Sequence, residues 1–228
     1  MNTHLVSRTV LPAGVRVQAQ APIGSGADVI ESIGTRMVVA RGQTLFYEGD
    51  DADSIYRVVS GALRTSRVML DGRRYVADFL FPGDFVGLND GAKRSTTADA
   101  LCDTILVRCS RRLFETKLEG DRGLGRMILS VLTGGLSSAQ ERMLLLGRKS
   151  AAERVASFLL MMADRAGGNS IELPMTRGDI ADYLGLTVET ISRTISQFKA
   201  RNFIRCRGIT TVEIQQRAAL EGVAAADI

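Results

Sequence analysis

The chain has 228 residues, of which 45% are hydrophobic and 24% charged, and its formal net charge is +4 at pH 7. This length accommodates two domains of ordinary size, and the composition is typical of a globular protein. No stretch of about 18 apolar residues occurs, and the N-terminus lacks the basic start and apolar segment of a secretion signal. We therefore predict a cytoplasmic protein that does not enter a membrane.

Cysteine and histidine are too few for the common metal and disulfide frameworks. The three cysteines are Cys102, Cys109 and Cys206, and the single histidine is His4. A structural zinc takes four Cys or His ligands, and a cubane iron–sulfur cluster takes four thiolates, so we expect no metal and no cofactor. The sequence also contains no Ser-His-Asp set and no P-loop, which argues against an enzyme.

The first two segments of the chain differ in character, and with the rest they indicate an α+β fold. Residues 1–27 are rich in Ala, Gly, Pro, Gln and Val without periodicity, which is typical of a flexible tail. Residues 28–120 contain short apolar or alternating runs divided by glycines, and this pattern predicts an N-terminal antiparallel β-roll. One of these runs covers residues 100–107, and Asp71-Gly72 indicates a hairpin turn of the primed type.

Residues 121–148 are predicted to form a long dimerisation helix and a hinge. Gly147 is expected to end this helix. The apolar positions are spaced 3, 4, 3, 4 and 3 residues apart, as in the seam of a two-stranded coiled coil. They are Leu129, Leu132, Leu136, Ala139, Met143 and Leu146. Such a helix either pairs with a second copy or lies on its own sheet, and the narrowness of the stripe favours a homodimer.

Residues 149–228 carry the pattern of a C-terminal winged helix-turn-helix. A helix over residues 177–184 is broken at Gly185, the residue type that takes a positive φ without penalty, and a second helix begins after Thr187 as N-cap. Capping-box patterns at residues 150–153 and 176–179 predict two further helix starts. Residues 203–207 and 210–214, on either side of Gly208, indicate a two-stranded wing.

The second helix of this motif carries side chains suited to the base edges of double-stranded DNA. Arg193 can donate two parallel hydrogen bonds to guanine, Glu189 can accept from a cytosine amino group, and Ser192 can serve several edges. No acidic residue occurs between residues 190 and 212, a segment rich in arginine. Positive charge of this kind is what phosphate contact requires, so we predict DNA binding.

Two further interpretations of this domain stay open at the level of the sequence. Thr176, Arg177, Thr187 and Lys199 are candidate phosphate contacts, although a solvated helix surface accounts for them equally well. Cys206 stands between two arginines, which favour a reactive thiolate, so its oxidation could place negative charge beside DNA. The alternative is that Cys206 is a small apolar residue of a strand.

Over residues 36–215 the chain resembles the CRP/FNR superfamily of bacterial transcription regulators. The resemblance is carried by Arg-Gly-Gln-Thr-Leu-Phe-Tyr-Glu-Gly-Asp at residues 41–50, Phe-Pro-Gly-Asp-Phe-Val-Gly-Leu at 81–88 and Leu-Thr-Val-Glu-Thr-Ile-Ser-Arg at 186–193. It implies a β-roll of the cyclic-nucleotide-binding type, a dimer helix, a DNA-binding wing domain, and contact with RNA polymerase, as an activator.

Departures from the superfamily pattern point to a particular branch. Members that bind cyclic AMP have a Glu that binds the ribose, and this chain has Leu88 at the corresponding position. Those members also have an Arg-Ser pair that binds the phosphate. The matching pair in this chain is Arg94-Ser95, and the loop that leads to it is shorter. Residues 1–27 lack the cysteine cluster of the oxygen sensor FNR. The resemblance therefore implies the FixK-type branch, whose members lack a sensory cofactor, with an effector-gated regulator whose β-roll binds a small molecule as the alternative.

The DNA sequence that the resemblance implies is a TTGAT-type palindrome. The cyclic-AMP branch has an Arg before the Glu of its reading helix and TGTGA half-sites, whereas this chain has Val188, whose methyl groups suit a thymine methyl. Val188, Glu189, Ser192 and Arg193 are the implied base-reading residues. Two such helices, roughly 34 Å apart in a homodimer, would read the two half-sites.

Overall fold

The structure is a computed structural model that describes residues 26–225 of the chain. The helices, numbered in chain order, are α1 (Gly26–Ile33), α2 (Arg111–Gly120), α3 (Arg122–Arg148), α4 (Ala151–Ala166), α5 (Arg177–Leu184), α6 (Val188–Ala200) and α7 (Arg217–Ala224). The strands are β1 (Thr35–Val39), β2 (Thr44–Phe46), β3 (Ser54–Ser60), β4 (Leu63–Val68), β5 (Arg74–Leu80), β6 (Phe85–Val86), β7 (Thr97–Ala100), β8 (Thr104–Ser110), β9 (Ser170–Glu172), β10 (Ile204–Arg207) and β11 (Thr211–Ile214).

The N-terminal strands form two four-stranded antiparallel sheets, with the orders β1-β8-β3-β6 and β2-β7-β4-β5. Val58, Leu63 and Leu106 are fully buried in the core that the two sheets share. The predicted α+β fold with an antiparallel β-roll is therefore confirmed, and α1, β1 and α2 add to it. Almost all of the predicted tail, residues 1–27, lies outside the described residues.

Two local predictions within the β-roll are wrong. The run at 100–107 is two strands, because the chain crosses between the sheets after Ala100, and Thr104 then hydrogen-bonds the backbone of Ala62. The β4–β5 hairpin does not have a primed turn. Its loop spans residues 69–73, the N–H of Gly72 donates to the carbonyl of Met69, and only Gly72 takes a positive φ, of 79°. A type I turn followed by a left-handed glycine has this form.

Helix α3 is buried at its start and exposed along most of the predicted seam. Leu124, Met127 and Ile128 pack on the β-roll. Of the seam residues, Leu129, Leu132, Leu136, Ala139 and Met143 are exposed, whereas Leu146 is half-buried. The prediction that Gly147 ends this helix is wrong, since α3 continues to Arg148. The carbonyls at its end need no glycine cap because the Arg154 guanidinium satisfies them. It donates to the carbonyls of Leu146 and Lys149 at 2.9 Å each.

The C-terminal domain packs α4, α5, α6 and α7 around a small sheet. Both predicted capping boxes are present, at Ser150 with Glu153 and at Thr176 with Asp179. The sheet has three strands in the order β10-β11-β9. The predicted two-stranded wing is β10 and β11, and β9 pairs with β11 through Ile171 and Val212. Among the described residues, no helix is both long and apolar enough to cross a membrane.

Candidate DNA-binding surface

The two helices of the helix-turn-helix begin and end as the sequence predicts. Gly185 ends α5 with φ 63°, a left-handed conformation that places its N–H on the carbonyl of Ala181. Thr187 then caps α6, since its hydroxyl accepts from the N–H of Thr190 at 3.2 Å. Both junctions are built from local hydrogen bonds, so the angle between the helices is set by short-range chemistry.

One face of α6 is buried and the other is open. Ile191, Ile195 and Phe198 lie in the core of the domain, where none is more than 8% exposed. On the opposite side Val188, Glu189 and Arg193 are exposed, and Ser192 is half-buried. The predicted base-reading side chains therefore lie together on the outer surface of a helix that is anchored on its inner side.

The charges on this surface suit hydrogen bonding to bases. Glu189 lies in the first turn of α6, where its own backbone N–H and the Thr187 hydroxyl hold the pKa of its carboxyl below its ordinary value. It is therefore an ionised acceptor at neutral pH. Arg193 forms no ion pair within residues 26–225, so its guanidinium remains available to an external acceptor.

The four predicted phosphate-contact residues occupy three different settings. Nη1 of Arg177 donates to the Ser192 hydroxyl at 3.1 Å, which brings this residue to the edge of the reading surface. Thr176 and Thr187 are both engaged as N-caps, and their hydroxyls face the helix ends that they cap. Lys199 is exposed in the last turn of α6. Arg177 and Lys199 are thus the two whose charged ends extend from the surface.

The wing places Cys206 away from its neighbouring arginines. Arg205 and Arg207 are exposed, whereas Cys206 is half-buried and packs against the core of the domain. Successive side chains of a strand point to opposite faces, so adjacency in the sequence does not bring the thiol to the two cations. Arg207 instead pairs with Glu213 at 2.7 Å. The geometry therefore favours a packing role for Cys206 over activation by the arginines.

Oxidation of Cys206 gives a test of the redox hypothesis that does not depend on those arginines. A sulfenic acid at this half-buried position would place a polar group against the wing core and weaken DNA binding. Because the geometry favours a packing role, we expect mild peroxide to affect the DNA affinity of the wild-type protein and of Cys206→Ala alike, as measured by fluorescence anisotropy. A loss confined to the wild-type protein would support the redox hypothesis. Equal loss in both proteins would mean that another site is responsible.

An ion-pair cluster joins the β4–β5 hairpin to the first helix of the motif. We call Arg64, Arg74, Asp179 and Asp182 the latch. Arg64 and Arg74 both bind Oδ1 of Asp179, the latter at 2.7 Å, and Nε of Arg74 donates to Asp182 at 2.7 Å. The Asp179 side chain is only 3% exposed. Burial raises the pKa of Asp179, but its bonds from Thr176 and the charge of Arg64 outweigh burial and keep it below its ordinary value.

An aromatic cluster beside the latch makes the same connection through apolar contact. The centre of the Phe79 ring on β5 lies 5.1 Å from the centre of the Tyr183 ring on α5. It lies 6.3 Å from the centre of the Phe158 ring on α4. The Arg142 guanidinium of α3 lies 4.4 Å from the Tyr183 ring. Burial raises the pKa of Tyr183 to about 12. The β-roll, α3 and the helix-turn-helix therefore share one core.

Weakening the latch is expected to loosen the helix-turn-helix from the β-roll. Arg74→Ala should lower the free energy of unfolding by about 1–2 kcal/mol, because it removes charge-assisted bonds to two aspartates. It should also speed proteolysis at the connection between α3 and α4. Arg73→Ala is the matched control, since the Arg73 side chain is exposed and, within residues 26–225, forms an ion pair with Asp71 alone. Equal losses in the two variants would show that the latch contributes nothing of its own.

The latch and the aromatic cluster could not be predicted from the sequence. Arg74 and Asp179 are 105 residues apart, and no local pattern links them. The one available signal was the alternation of side chains along β5 and the helical periodicity along α5. These patterns show on which face of its element Arg74 or Asp179 lies, but not that the two faces meet.

These features together define a class of protein. A β-roll is fused by a long helix to a winged helix-turn-helix, whose reading helix presents arginine and glutamate outward beside a basic wing. This is the architecture of a regulator that binds DNA through a major-groove helix.

Comparison with known proteins places the chain within that class. A model of the cyclic nucleotide-binding domain matches residues 36–121, and one of the Crp-like helix-turn-helix domain matches residues 153–223. The nitrogen fixation regulation protein FixK of Rhizobium meliloti is 38% identical over 183 residues, which make up 80% of this chain and 83% of that protein. The transcriptional activator FnrL of Cereibacter sphaeroides is 37% identical, over 73% of this chain and 71% of that protein.

A solved structure agrees with the sequence comparison. FixK2 from Bradyrhizobium japonicum superposes with a TM-score of 0.81 at 36% identity, covering 86% of this chain and all of that one. The chain belongs to the CRP/FNR family of DNA-binding transcription regulators, and it is FixK-like. The two relatives named above are described as a regulation protein and a transcriptional activator.

Proposed function

We propose that this protein is a homodimeric transcription activator that reads a TTGAT-type palindrome without a sensory cofactor. The observation that carries the proposal is the exposed face of α6, on which Val188, Glu189, Ser192 and Arg193 lie together while the opposite face is buried. Val188 is 44% exposed in the first turn, where its methyl groups would meet a thymine methyl.

The homodimer is supported by the exposed stripe of α3. Leu129, Leu136 and Met143 are each more than 60% exposed in the single subunit, although they are spaced as a coiled-coil seam. Solvent contact along such a stripe is unfavourable, and pairing with the same stripe of a second copy would remove it. A two-fold dimer would present two α6 helices to the two halves of a palindrome.

The absence of a nucleotide effector is supported by Leu88. This side chain occupies the position of the ribose-binding carboxylate in members that bind cyclic AMP, and it packs against the apolar cluster that contains Phe85. An apolar side chain cannot replace the hydrogen bonds of a carboxylate to ribose hydroxyls. Two of the relatives are named as transcriptional activators. The proposal therefore includes recruitment of RNA polymerase.

The test is DNA binding by purified, reduced protein at fixed salt concentration. Palindromes of TTGAT and TGTGA are compared, each with and without cyclic AMP. We expect tight binding to TTGAT alone, unaffected by cyclic AMP, and activation of transcription when the palindrome is placed upstream of a promoter in vitro. Binding that requires cyclic AMP, or that prefers TGTGA, would contradict the proposal and favour an effector-gated regulator.

A further inference from the structure

One carboxylate in the β-roll receives three hydrogen bonds from two adjacent residues. Oδ1 of Asp90 accepts from the backbone N–H of Ser95 at 3.0 Å and from its hydroxyl at 2.6 Å. Oδ2 accepts from Nη1 of Arg94 at 3.1 Å. A backbone amide, a hydroxyl and a guanidinium are the donors with which proteins bind phosphate oxygens. We call this arrangement of Arg94 and Ser95 the anion cradle.

The cation of the cradle is held in place by contacts other than Asp90. Nη2 of Arg94 donates to the carbonyl of Ser54 at 2.7 Å, and the guanidinium lies 4.1 Å from the centre of the Phe46 ring. A Cβ atom at Gly87 would overlap the guanidinium, so this glycine leaves the space that Arg94 occupies. Arg94 is therefore preorganised to bind an anion, whichever anion is present.

Burial makes an anion at this place necessary. The side chain of Arg94 is 1% exposed and that of Asp90 6% exposed. Nε of Arg94 is buried without a hydrogen-bond partner among the described residues, so the guanidinium is not fully satisfied by the protein. An uncompensated buried charge is strongly destabilising, and a partner anion offsets that cost.

Asp90 meets the requirement because it is ionised and tethered. Burial raises the pKa of its carboxyl, but the hydrogen bonds from Ser95 and Arg94 outweigh burial and hold it below its ordinary value. The carboxylate is also four residues from Arg94 in the same chain. A tether this short gives an effective concentration of at least the millimolar order, against which a free anion would have to compete.

We propose that Asp90 is the built-in occupant of a phosphate-type anion site, which it closes to free ligands. The carboxylate supplies from within the chain the negative charge that a phosphate group would otherwise bring to Arg94 and Ser95. The β-roll consequently keeps its loop between β6 and β7 in an anion-bound form without any small molecule. This inference rests on the contacts of Asp90 and does not depend on the proposed DNA sequence.

The test is chemical rescue of a variant that lacks the carboxylate. Asp90→Ala should lower the melting temperature, and inorganic phosphate should restore it saturably at millimolar concentrations, measured against sodium chloride of equal ionic strength. The wild-type protein should show no such saturable gain. Thermal unfolding requires no DNA, so this result is independent of the test of the proposed function.

Asp71→Ala is the matched control for the rescue. Asp71 accepts from the backbone N–H of Arg73 at 3.0 Å and from its Nε at 2.7 Å, so it has donors of the same kind at an exposed hairpin. It should lose little stability and gain nothing specific from phosphate. The proposal is overturned if phosphate stabilises Asp90→Ala no more than this control, or if it stabilises the wild-type protein equally.

A folding failure of the first variant also gives a decisive result. Asp90→Ser, which keeps a shorter polar side chain beside Arg94, is then expressed and purified in phosphate and in chloride buffers. Soluble folded protein that requires phosphate supports an open anion site. Failure of both variants to fold in phosphate, or equal folding in the two buffers, contradicts the proposal.

Discussion

Replacing Arg193 with alanine is expected to remove discrimination at one guanine position in each half of the proposed palindrome. A guanidinium that donates two hydrogen bonds to one guanine contributes about 1–3 kcal/mol of discrimination, and a homodimer would lose this contribution at both half-sites. Competition binding with palindromes changed at one position at a time measures the effect. The variant should discriminate less at a single guanine position and keep its preferences elsewhere.

Lys199→Ala is the control for this experiment. Lys199 is exposed in the last turn of α6, at the end opposite to the predicted base contacts. A phosphate contact weakens binding to all sequences alike and lowers the dependence of affinity on salt. If Arg193→Ala behaved in the same way as Lys199→Ala, Arg193 would be a phosphate contact and the proposed reading of bases would be wrong.

Replacing Leu136 with glutamate is expected to convert the proposed homodimer into a monomer. Leu136 is 62% exposed in the single subunit, so the change costs the folded subunit little. In a paired seam it would remove about 1.5–3 kcal/mol of apolar burial from each copy and place two like charges face to face. Analytical ultracentrifugation reports the mass, and the monomer should bind a palindrome no better than a half-site.

Ser138→Glu introduces the same charge two residues further along α3. Ser138 is exposed and lies away from the seam, so this control should remain a dimer. Circular dichroism shows whether each variant keeps its helical content. A Leu136→Glu protein that stayed dimeric would assign the exposed stripe to a different partner.

The latch and the anion cradle are each centred on a buried carboxylate. Asp179 caps α5 and binds Arg64 and Arg74, while Asp90 receives Arg94 and Ser95. In both, one carboxylate satisfies several donors at once. In the cradle this carboxylate binds donors within the β-roll. In the latch it joins the β-roll to the helix-turn-helix.

The sequence by itself determined the parts of this protein that depend on short-range chemistry. Helix starts at Ser150, Thr176 and Thr187 follow from side-chain hydrogen bonds within three residues, and Gly185 ends α5 because glycine takes a left-handed conformation without strain. Periodicity of apolar residues predicted the buried face of α6. The architecture followed from the order of these elements and from motifs that resemble a known family.

Only the tertiary structure decided which groups meet across long stretches of chain. The pairing of Arg74 with Asp179, the crossing between sheets after Ala100, and the capping of α3 by Arg154 each join residues whose contact leaves no periodic pattern. Cys206 shows the converse, since neighbours in a strand point to opposite faces. Local hydrogen bonding is encoded in adjacent residues, whereas burial and charge pairing depend on packing between elements, and packing is settled only when the whole chain is folded.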